Sequence, residues 1–375
     1  MPFCERVCPY CDFAVVAART LPPETESRYV DALLAELALR RDAFAERTLA
    51  SLYLGGGTPS LLRPASLTRI ADAVRSAFPG SEPVEITLEV NPSSVERARL
   101  PDFRAAGVNR ISLGAQSFDD ATLKRLGRAH RAEAVHATLD AIRTTGFASL
   151  SLDLIFGAPG QAASTLSADL DAAIAAAPDH VSAYELTLEV GTPFAAAAAR
   201  GRLRLPQEDD VAAMQEQVEK RLAVAGYQRY EISNYAHPGR ESVHNRRYWE
   251  RRPVLGLGMG AVSTDPPTAA NPHGVRRANP RDLSRYLAAP GVAASCEVLT
   301  PRIARGEAIF LGLRTARGVD ASAFAQEFGA APRHFFATAI ERLRGDGLLA
   351  EAEGGDLRLT PRGRSLADSV FEWFV

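Results

Sequence analysis

The chain has 375 residues, 46% of them hydrophobic and 23% charged, which is typical of a soluble globular protein with room for two or three domains. The formal net charge of −2 excludes the strongly basic surface of a general nucleic-acid-binding protein. No apolar run approaches the roughly 20 residues that span a bilayer, and the first residues lack a secretory signal, so we expect a cytoplasmic protein without an integral membrane segment.

The first feature along the chain is a loop, "MPFCERVCPYCDF", that contains Cys4, Cys8 and Cys11. The remaining cysteine, Cys296, lies far away and is predicted to be a buried structural thiol. Four cysteines in a chain of this length do not form a disulfide framework. Three closely spaced thiolates suit an iron–sulfur cluster that keeps one iron free of protein ligands. A structural zinc site, which usually takes four protein ligands, and three unrelated thiols are the weaker alternatives.

Strand-like and helical patterns then alternate along the first half of the chain. Apolar, β-branched runs that end in glycine, proline or polar residues are typical of buried parallel strands. We expect strands at 49–57, 84–92, 110–117, 150–157 and 180–189, and helices at 25–44, 62–78, 94–106, 119–145 and 163–177. This alternation predicts a parallel α/β fold with right-handed crossovers.

Polar residues and glycines follow the ends of these strands, where the active site of an α/β barrel lies. In chain order they are Gly55, Gly56, Gly57, Glu89, Asn91, Gln116, Arg128 and Asp153. Each has a structural alternative when considered singly: a tight turn for the glycines, and an internal ion pair of Arg128 with Glu89 or Asp153 for the charged residues. Together, and beside the cysteines, they predict one polar pocket for a zwitterionic nucleoside.

The second half of the chain changes character twice. A helix and linker, "PFAAAAARGRL" (193–203), leave the barrel, and a helix is expected at 208–225. From about residue 295, short helices, a predicted hairpin and a final helix resemble a winged-helix module. We therefore divide the chain into residues 1–204 (barrel and pocket), 205–294 (a smaller α+β region) and 295–375 (a winged-helix-like domain). The last region is not strongly basic, which favours a structural or interaction role.

The Cys-x3-Cys-x2-Cys spacing, with Tyr10 before the last cysteine, resembles the signature of the radical S-adenosylmethionine (SAM) family. The order and spacing of the strand-end residues resemble its coproporphyrinogen III oxidase-like branch. The resemblance implies an open, partial (βα)6 barrel in which Cys4, Cys8 and Cys11 hold a [4Fe-4S] cluster and the open iron binds SAM. It also implies SAM contacts from Gly56, Gly57, Glu89, Gln116, Arg128 and Asp153. The family pattern has a full strand before the cysteine loop, whereas three residues precede Cys4 here, so we expect either an absent first strand or a chain that starts late.

Two groups of that branch are separated by residues outside the SAM positions. The oxidase carries a further cysteine two residues after the third, where this chain has Phe13, which is typical of the heme-chaperone group. "HNRRY", which contains His244 and Tyr248, resembles the HNxxY motif linked to heme binding in the chaperones. Neutral imidazole is a normal axial ligand of heme iron. We expect Tyr248 and Trp249 to supply flat surface for a macrocycle, with core packing as the alternative, and His237 is a weaker candidate ligand.

The closest resemblance is therefore to the heme-chaperone group. It implies a [4Fe-4S] cluster, SAM and heme as bound groups, and transfer of heme to acceptor proteins. The alternative is an oxygen-independent coproporphyrinogen III oxidase-like enzyme of porphyrin biosynthesis, and the SAM positions alone leave open whether the chain is an enzyme. A zinc-dependent binding module is a third, weaker class. We expect no nucleic-acid partner, and a transient membrane association is compatible with the sequence because heme acceptors are often membrane-bound.

Overall fold

A computed structural model of the chain describes residues 1–80 and 83–375. The strands are β1 (Phe3–Cys4), β2 (Val16–Ala17), β3 (Ser51–Leu54), β4 (Glu85–Val90), β5 (Arg110–Gln116), β6 (Ser149–Phe156), β7 (His180–Glu185), β8 (Gln228–Arg229), β9 (Asn234–Ala236), β10 (Val262–Thr264), β11 (Val275–Ala278), β12 (Ser295–Val298), β13 (Leu349–Glu351) and β14 (Leu357–Leu359). The helices are α1 (Pro23–Arg40), α2 (Pro64–Ala77), α3 (Ser94–Ala105), α4 (Asp120–Arg125), α5 (Ala132–Thr145), α6 (Ala163–Ala175), α7 (Pro193–Ala199), α8 (Glu208–Val224), α9 (Val243–Trp249), α10 (Leu283–Ala288), α11 (Pro301–Arg314), α12 (Ala321–Phe328), α13 (Pro332–Gly345), α14 (Pro361–Ser365) and α15 (Ala367–Phe371).

One sheet of seven strands, in the order β3-β4-β5-β6-β7-β9-β8, forms the centre of the molecule. Neighbouring strands from β3 to β7 are parallel, whereas β9 is antiparallel to both β7 and β8. Helices α2, α3, α5 and α6 lie between the parallel strands in the chain. The predicted parallel α/β fold is therefore confirmed, and all the predicted parallel strands are present.

The segment before the cysteine loop is extended but does not join this sheet. Its two-residue strand β1 pairs in parallel with β2. The backbone N–H groups of Gly57 and Thr58 each donate a hydrogen bond of 2.7 Å, to the carbonyl oxygens of Met1 and Phe3 respectively. Among the described residues, the sheet thus contains the five parallel strands expected after the cysteine loop, and the first strand of a (βα)6 barrel is represented only by β1.

The single helix expected at 119–145 is wrong, because the structure has two helices there. Helix α4 ends at Arg125 and α5 begins at Ala132. Between them Gly127 has a φ of +71°, a left-handed conformation that ends an α-helix and that glycine adopts without strain. The break turns the chain so that the next residue, Arg128, reaches the carboxyl ends of the strands.

The barrel and the middle region share one hydrophobic core. The core around the parallel strands also contains Met214, Val218 and Leu222 of α8 and Tyr286 of α10. The predicted boundary at residue 204 therefore does not coincide with a division of the core. The middle region also forms a separate three-stranded sheet, β10-β11-β12, so the strand that begins at residue 295 pairs with the middle region. The three-region division remains a prediction.

The C-terminal residues have a hydrophobic core of their own, to which α11, α12, α13 and the hairpin of β13 and β14 contribute. The order of three helices, a two-stranded wing and further short helices is the order expected of a winged-helix-like domain. A link to the rest of the chain comes from Arg364, which donates 3.0 Å hydrogen bonds to both carboxylate oxygens of Glu219. Among the described residues, no helix combines the length and the apolar character that a membrane crossing requires.

Candidate functional site

A cavity of about 420 Å³ lies at the carboxyl ends of the parallel strands. All the residues predicted for the cluster and for SAM line this first cavity: Cys4, Cys8, Cys11, Gly56, Gly57, Glu89, Gln116, Arg128 and Asp153. The carboxyl ends of parallel strands meet at one edge of the sheet, which is why side chains distant in the sequence converge there. The predicted polar pocket is therefore a single space in the structure. His244 does not line it.

Cys4, Cys8 and Cys11 are free thiols that line the first cavity, and Cys4 is buried. The Thr58 hydroxyl donates to Cys4 Sγ at 3.5 Å, and an Arg128 guanidinium nitrogen donates to Cys8 Sγ at 3.6 Å. Burial raises the pKa of the Cys4 and Cys11 thiols. Iron binds the thiolate form, so binding of a cluster would release protons from Cys4 and Cys11.

The arrangement of the thiols fits a cluster better than a single metal ion. Among the described residues, no group of three or more His, Cys, Asp or Glu side chains converges as one metal ion would require. In an iron–sulfur cluster each thiolate binds a different iron, so the sulfur atoms need not meet at one point. The donor set of three cysteines around one cavity therefore fits the cluster.

Gly56 and Gly57 are required by close packing between their backbone and the cysteine loop. Gly56 has a φ of +112°, and a Cβ atom there would lie 2.9 Å from the Met1 carbonyl oxygen. A Cβ atom on Gly57 would lie 2.8 Å from the Phe3 carbonyl oxygen and 3.0 Å from Cys4 Sγ. Side chains are excluded at both positions, so the backbone itself forms this part of the wall.

Glu89 is a half-buried carboxylate that forms no salt bridge within 4 Å among the described residues, although the Met1 ammonium group is a neighbouring cation. Its oxygens accept hydrogen bonds from the Tyr53 hydroxyl at 2.7 Å and from the Gly56 N–H at 3.0 Å. Burial raises the pKa of the Glu89 carboxyl to about 7. A cation placed beside it in the cavity would restore the ionised form, and the amino group of SAM is such a cation.

Arg128 is held by Asn91 and by the Gly114 carbonyl oxygen, the latter at 3.1 Å. It forms no ion pair with Glu89 or Asp153, so the internal ion pair considered as an alternative is absent at these described residues. Arg128 Nε and Thr87 Oγ1 are buried and have no hydrogen-bond partner within the described chain. Both residues line the first cavity. Unsatisfied buried polar atoms are costly, and a polar ligand would satisfy these two.

Gln116 and Asp153 occupy neighbouring strands of the same wall. Gln116 has a φ of +66° and follows a register shift between β5 and β6 that starts after Leu113. A non-glycine residue held in this conformation at a cavity is a feature of functional sites. Asp153 accepts a 2.9 Å hydrogen bond from Ser112 Oγ, and burial raises the pKa of its carboxyl. It offers a second acceptor to a bound molecule.

Sequence reasoning missed a further polar row on the inner face of the sheet. The cavity-lining members of this row are Tyr53, Thr87, Arg110, Ser112, Ser151, His180, Ser182 and Tyr184. Cross-strand register places Thr87 beside Arg110 and Ser112 beside Ser151. The signal was present in the sequence, because polar residues recur at every second position of these strands and so share one face. The strands were recognised by the apolar residues between these positions, and the polar pattern was not used.

His244 lies on α9 and lines a second cavity of about 720 Å³. The helix is anchored by Glu85, whose carboxylate accepts from the backbone N–H groups of Val243 at 3.1 Å and His244 at 3.0 Å. The His244 Nδ1 atom is 3.0 Å from Ser51 Oγ, while Nε2 has no hydrogen-bond partner within the described chain. Burial lowers the pKa of His244 to about 4, so the imidazole is neutral at physiological pH.

The HNRRY segment contributes to both cavities. His244 and Tyr248 are four residues apart and therefore share a helix face, and both line the second cavity. Asn245 lines the first cavity. Tyr53 belongs to the wall between them: its hydroxyl contacts Glu89, and its ring stacks on His244 with the centroids 4.7 Å apart. Phe13 also lines both cavities and is 62% exposed.

Three expectations about other residues have different outcomes. Trp249 does not line the second cavity; its ring packs under the Arg314 guanidinium at 4.8 Å, so the expected macrocycle contact is wrong for this residue. Cys296 is exposed on β12, where Arg277 donates to its sulfur at 3.0 Å, and the expected burial is wrong. His237 lies outside both cavities and contacts the Gly226 carbonyl oxygen at 3.2 Å.

The chain matches the family described as the radical SAM superfamily over residues 1–173 and the HemN C-terminal domain over residues 299–366. It is 32% identical to the heme chaperone HemW of Bacillus subtilis (strain 168), and the match covers 100% of this chain and 97% of the relative. It is 37% identical to the heme chaperone HemW of Mycobacterium tuberculosis (strain H37Rv), with 99% of this chain and 92% of the relative covered. Coproporphyrinogen III oxidase (HemN) from Escherichia coli, a radical SAM enzyme of known structure, superposes with a TM-score of 0.83 at 25% identity, over 100% of this chain and 88% of that chain.

Proposed function

The chain belongs to the radical SAM superfamily and, within it, to the HemW family, and from this premise we propose that it is a heme chaperone that binds a [4Fe-4S] cluster, SAM and heme. The observation that carries the proposal is the position of His244, which reaches a cavity of its own beside the cluster and SAM cavity. Two adjoining cavities provide one space for the cofactors and another for the heme that is to be passed on.

Cys4, Cys8 and Cys11 would hold the cluster, and residues of the first cavity would hold SAM. The cluster supplies an iron with an open position and a one-electron donor. Glu89 would bind the cationic part of SAM, Arg128 its carboxylate or hydroxyl oxygens, and Asp153 and Gln116 further polar atoms. Neither Glu89 nor Arg128 forms a salt bridge within 4 Å among the described residues, and Arg128 Nε has no hydrogen-bond partner there, which supports these roles.

His244 would bind heme iron through Nε2. The contact of Nδ1 with Ser51 leaves the other nitrogen free and fixes the orientation of the ring, as second-sphere contacts do at metal sites. The wall of the second cavity is mixed, with the apolar side chains of Leu54, Ile70, Val74 and Met259 beside polar ones. Apolar surface for the macrocycle beside a neutral imidazole is the chemistry that heme requires.

Transfer of heme requires an acceptor protein. We propose that the exchange occurs in the cytoplasm, with transient membrane association when the acceptor is membrane-bound. The exposed position of Tyr248, which is 43% accessible, keeps the His244 side of the second cavity open to a partner. Access of this kind suits a carrier, which must release its cargo without unfolding.

The experiment is an anaerobic titration of the cluster-reconstituted protein with hemin, followed in the Soret band. We expect saturable binding that His244→Ala abolishes. His237→Ala is the matched control, since His237 belongs to the same segment but lies outside both cavities, and it should bind as the wild type does. Equal affinity of wild type and His244→Ala would remove His244 as the ligand, and absence of binding in both would refute heme transfer.

The similarity to HemN over the full chain favours one second candidate, a coproporphyrinogen III oxidase-like radical enzyme. Release of CO2 from coproporphyrinogen III, given SAM and a reductant, would establish it. The iron content of the same sample must be measured, so that lack of turnover is counted only with an intact cluster. Phe13, at the position of the oxidase's additional cysteine, leads us to expect no turnover.

A further inference from the structure

Charged side chains line the second cavity in addition to its apolar ones, and the acidic members are Asp12 and Glu46. Four arginines line it: Arg47, Arg247, Arg252 and Arg281. Arg281 is paired with Asp12 at 3.2 Å and Arg252 with Glu250 at 3.7 Å. Within the described chain, Arg47 and Arg247 form no ion pair and no side-chain hydrogen bond. A guanidinium that lines a cavity without a partner is suited to bind a carboxylate.

Arg247 has a defined relation to the heme ligand. It follows His244 by three residues on α9, so the two side chains emerge from the same helix face, and both line the second cavity. Arg247 is half-buried. The neighbouring Arg246 is exposed, does not line the cavity and pairs with Glu250 at 3.1 Å along the helix. The two adjacent arginines therefore have different surroundings.

Heme has a flat apolar macrocycle and two propionate carboxylates on one edge. A site for it needs apolar walls, an axial ligand and cations where the propionates emerge. The second cavity offers apolar side chains, the neutral imidazole of His244 and two guanidinium groups free to bind. Arg47 comes from the segment before β3 and Arg247 from α9, so two separate elements supply the cations.

We propose that Arg247, together with Arg47, forms a carboxylate-binding subsite in the lining of the second cavity that receives the heme propionates. The subsite rests on the proposed function, since it takes heme bound at His244 as given. It makes the site selective for porphyrins with free carboxylates and fixes the orientation of the macrocycle, because the propionate edge must face the arginines.

The test compares two ligands, hemin and hemin dimethyl ester, whose esterified propionates carry no charge. Each is titrated into wild type, Arg247→Gln, Arg47→Gln and the control Arg246→Gln. Because a charge-assisted pair is lost, we expect Arg247→Gln to bind hemin about tenfold more weakly. Its affinity for the ester should equal that of the wild type. Arg47→Gln should show the same selective loss, and Arg246→Gln should change neither affinity.

The outcomes separate this inference from the function on which it rests. Equal loss of hemin and ester affinity in Arg247→Gln, or loss of neither, would overturn the subsite while leaving His244 as the ligand. The subsite would also be overturned if Arg246→Gln reproduced the selective loss, because the effect would then come from general charge. Failure of the wild type to bind hemin would overturn the proposed function and the subsite together.

Discussion

Glu85 positions the proposed heme ligand, and its replacement is the sharpest test of how the site is built. Both carboxylate oxygens accept backbone N–H groups at the start of α9, at 3.0 Å and 3.1 Å. The Glu85 side chain is only 12% exposed, and its carboxylate also pairs with the buried Arg110 guanidinium at 3.9 Å and accepts from Ser242 Oγ at 3.5 Å. Glu85→Gln keeps the size of the side chain, but one of the two acceptors becomes an NH2 group that faces a donor. A hydrogen bond to a buried charged group contributes about 1.5–3 kcal/mol, so we expect the docking of α9 to weaken by about 2 kcal/mol.

The consequence for heme follows from the population of the docked helix. If only the docked form presents His244 correctly, a loss of about 2 kcal/mol lowers the apparent hemin affinity by up to about 30-fold. The assay is the Soret titration, with far-ultraviolet circular dichroism to confirm that the fold is retained. Glu241→Gln is the matched control, because Glu241 lies just before the same helix but has no hydrogen bond or ion pair within the described chain.

Two results would refute this reasoning. Unchanged hemin affinity in Glu85→Gln would mean that the carboxylate does not hold α9 in its binding position. An equal loss in Glu241→Gln would mean that negative charge near the helix start matters, rather than the specific contacts of Glu85. If the buried contacts hold the helix, only Glu85→Gln loses hemin affinity, and changing the salt concentration does not restore that affinity.

Three further predictions concern the two cavities. The pKa of the Glu89 carboxyl is about 7 in the folded chain, against its ordinary value of 4.5, so its contribution to stability is complete below pH 4.5 and is lost as the pH rises through 7. We therefore expect the melting temperature of the ligand-free protein to fall less between pH 5 and pH 8 in Glu89→Gln than in the wild type. The same variant should bind SAM more weakly, as measured by calorimetry. Because burial lowers the pKa of His244 to about 4, hemin affinity should stay constant from pH 8 to about pH 5 and fall below it, whereas a decline that begins near pH 6.5 would contradict the buried environment. Gly57→Ala places a Cβ 3.0 Å from Cys4 Sγ and should lower the iron content after anaerobic reconstitution. The control Gly354→Ala, where a Cβ meets nothing within 4 Å, should leave the iron content unchanged, and equal iron in both variants would show that the cysteine loop tolerates the contact.

The fold and the first cavity could be predicted because their signals are local and repeated. Apolar runs predict buried parallel strands, and the residues that follow the ends of these strands meet at one edge of the sheet. Cys4, Glu89 and Asp153 are distant in the sequence, yet sheet topology alone brings them together. The cysteine spacing supplied the chemistry.

What could not be predicted depends on tertiary contacts. The break before Arg128 depends on one glycine in a helical pattern, which costs a helix too little to be decisive from sequence. Trp249 and Tyr248 are adjacent and both aromatic, and only the position of Arg314 on another helix shows that Trp249 faces away from the cavity. Glu85 resembles any polar residue at the start of a strand until its two partners on α9 are seen.

The wall formed by Tyr53 also affects how mutants of this protein should be interpreted. The ring of Tyr53 stacks on His244, the proposed heme ligand, and its hydroxyl donates to Glu89, the proposed SAM-binding carboxylate, so one side chain contacts both proposed sites. A screen that scores only one bound molecule would assign Tyr53 to whichever molecule it measured. Tyr53→Phe keeps the ring and removes the hydroxyl, whereas Tyr53→Leu removes both. Measuring SAM and heme binding in both variants would separate the contribution of the Tyr53 hydroxyl from that of the Tyr53 ring.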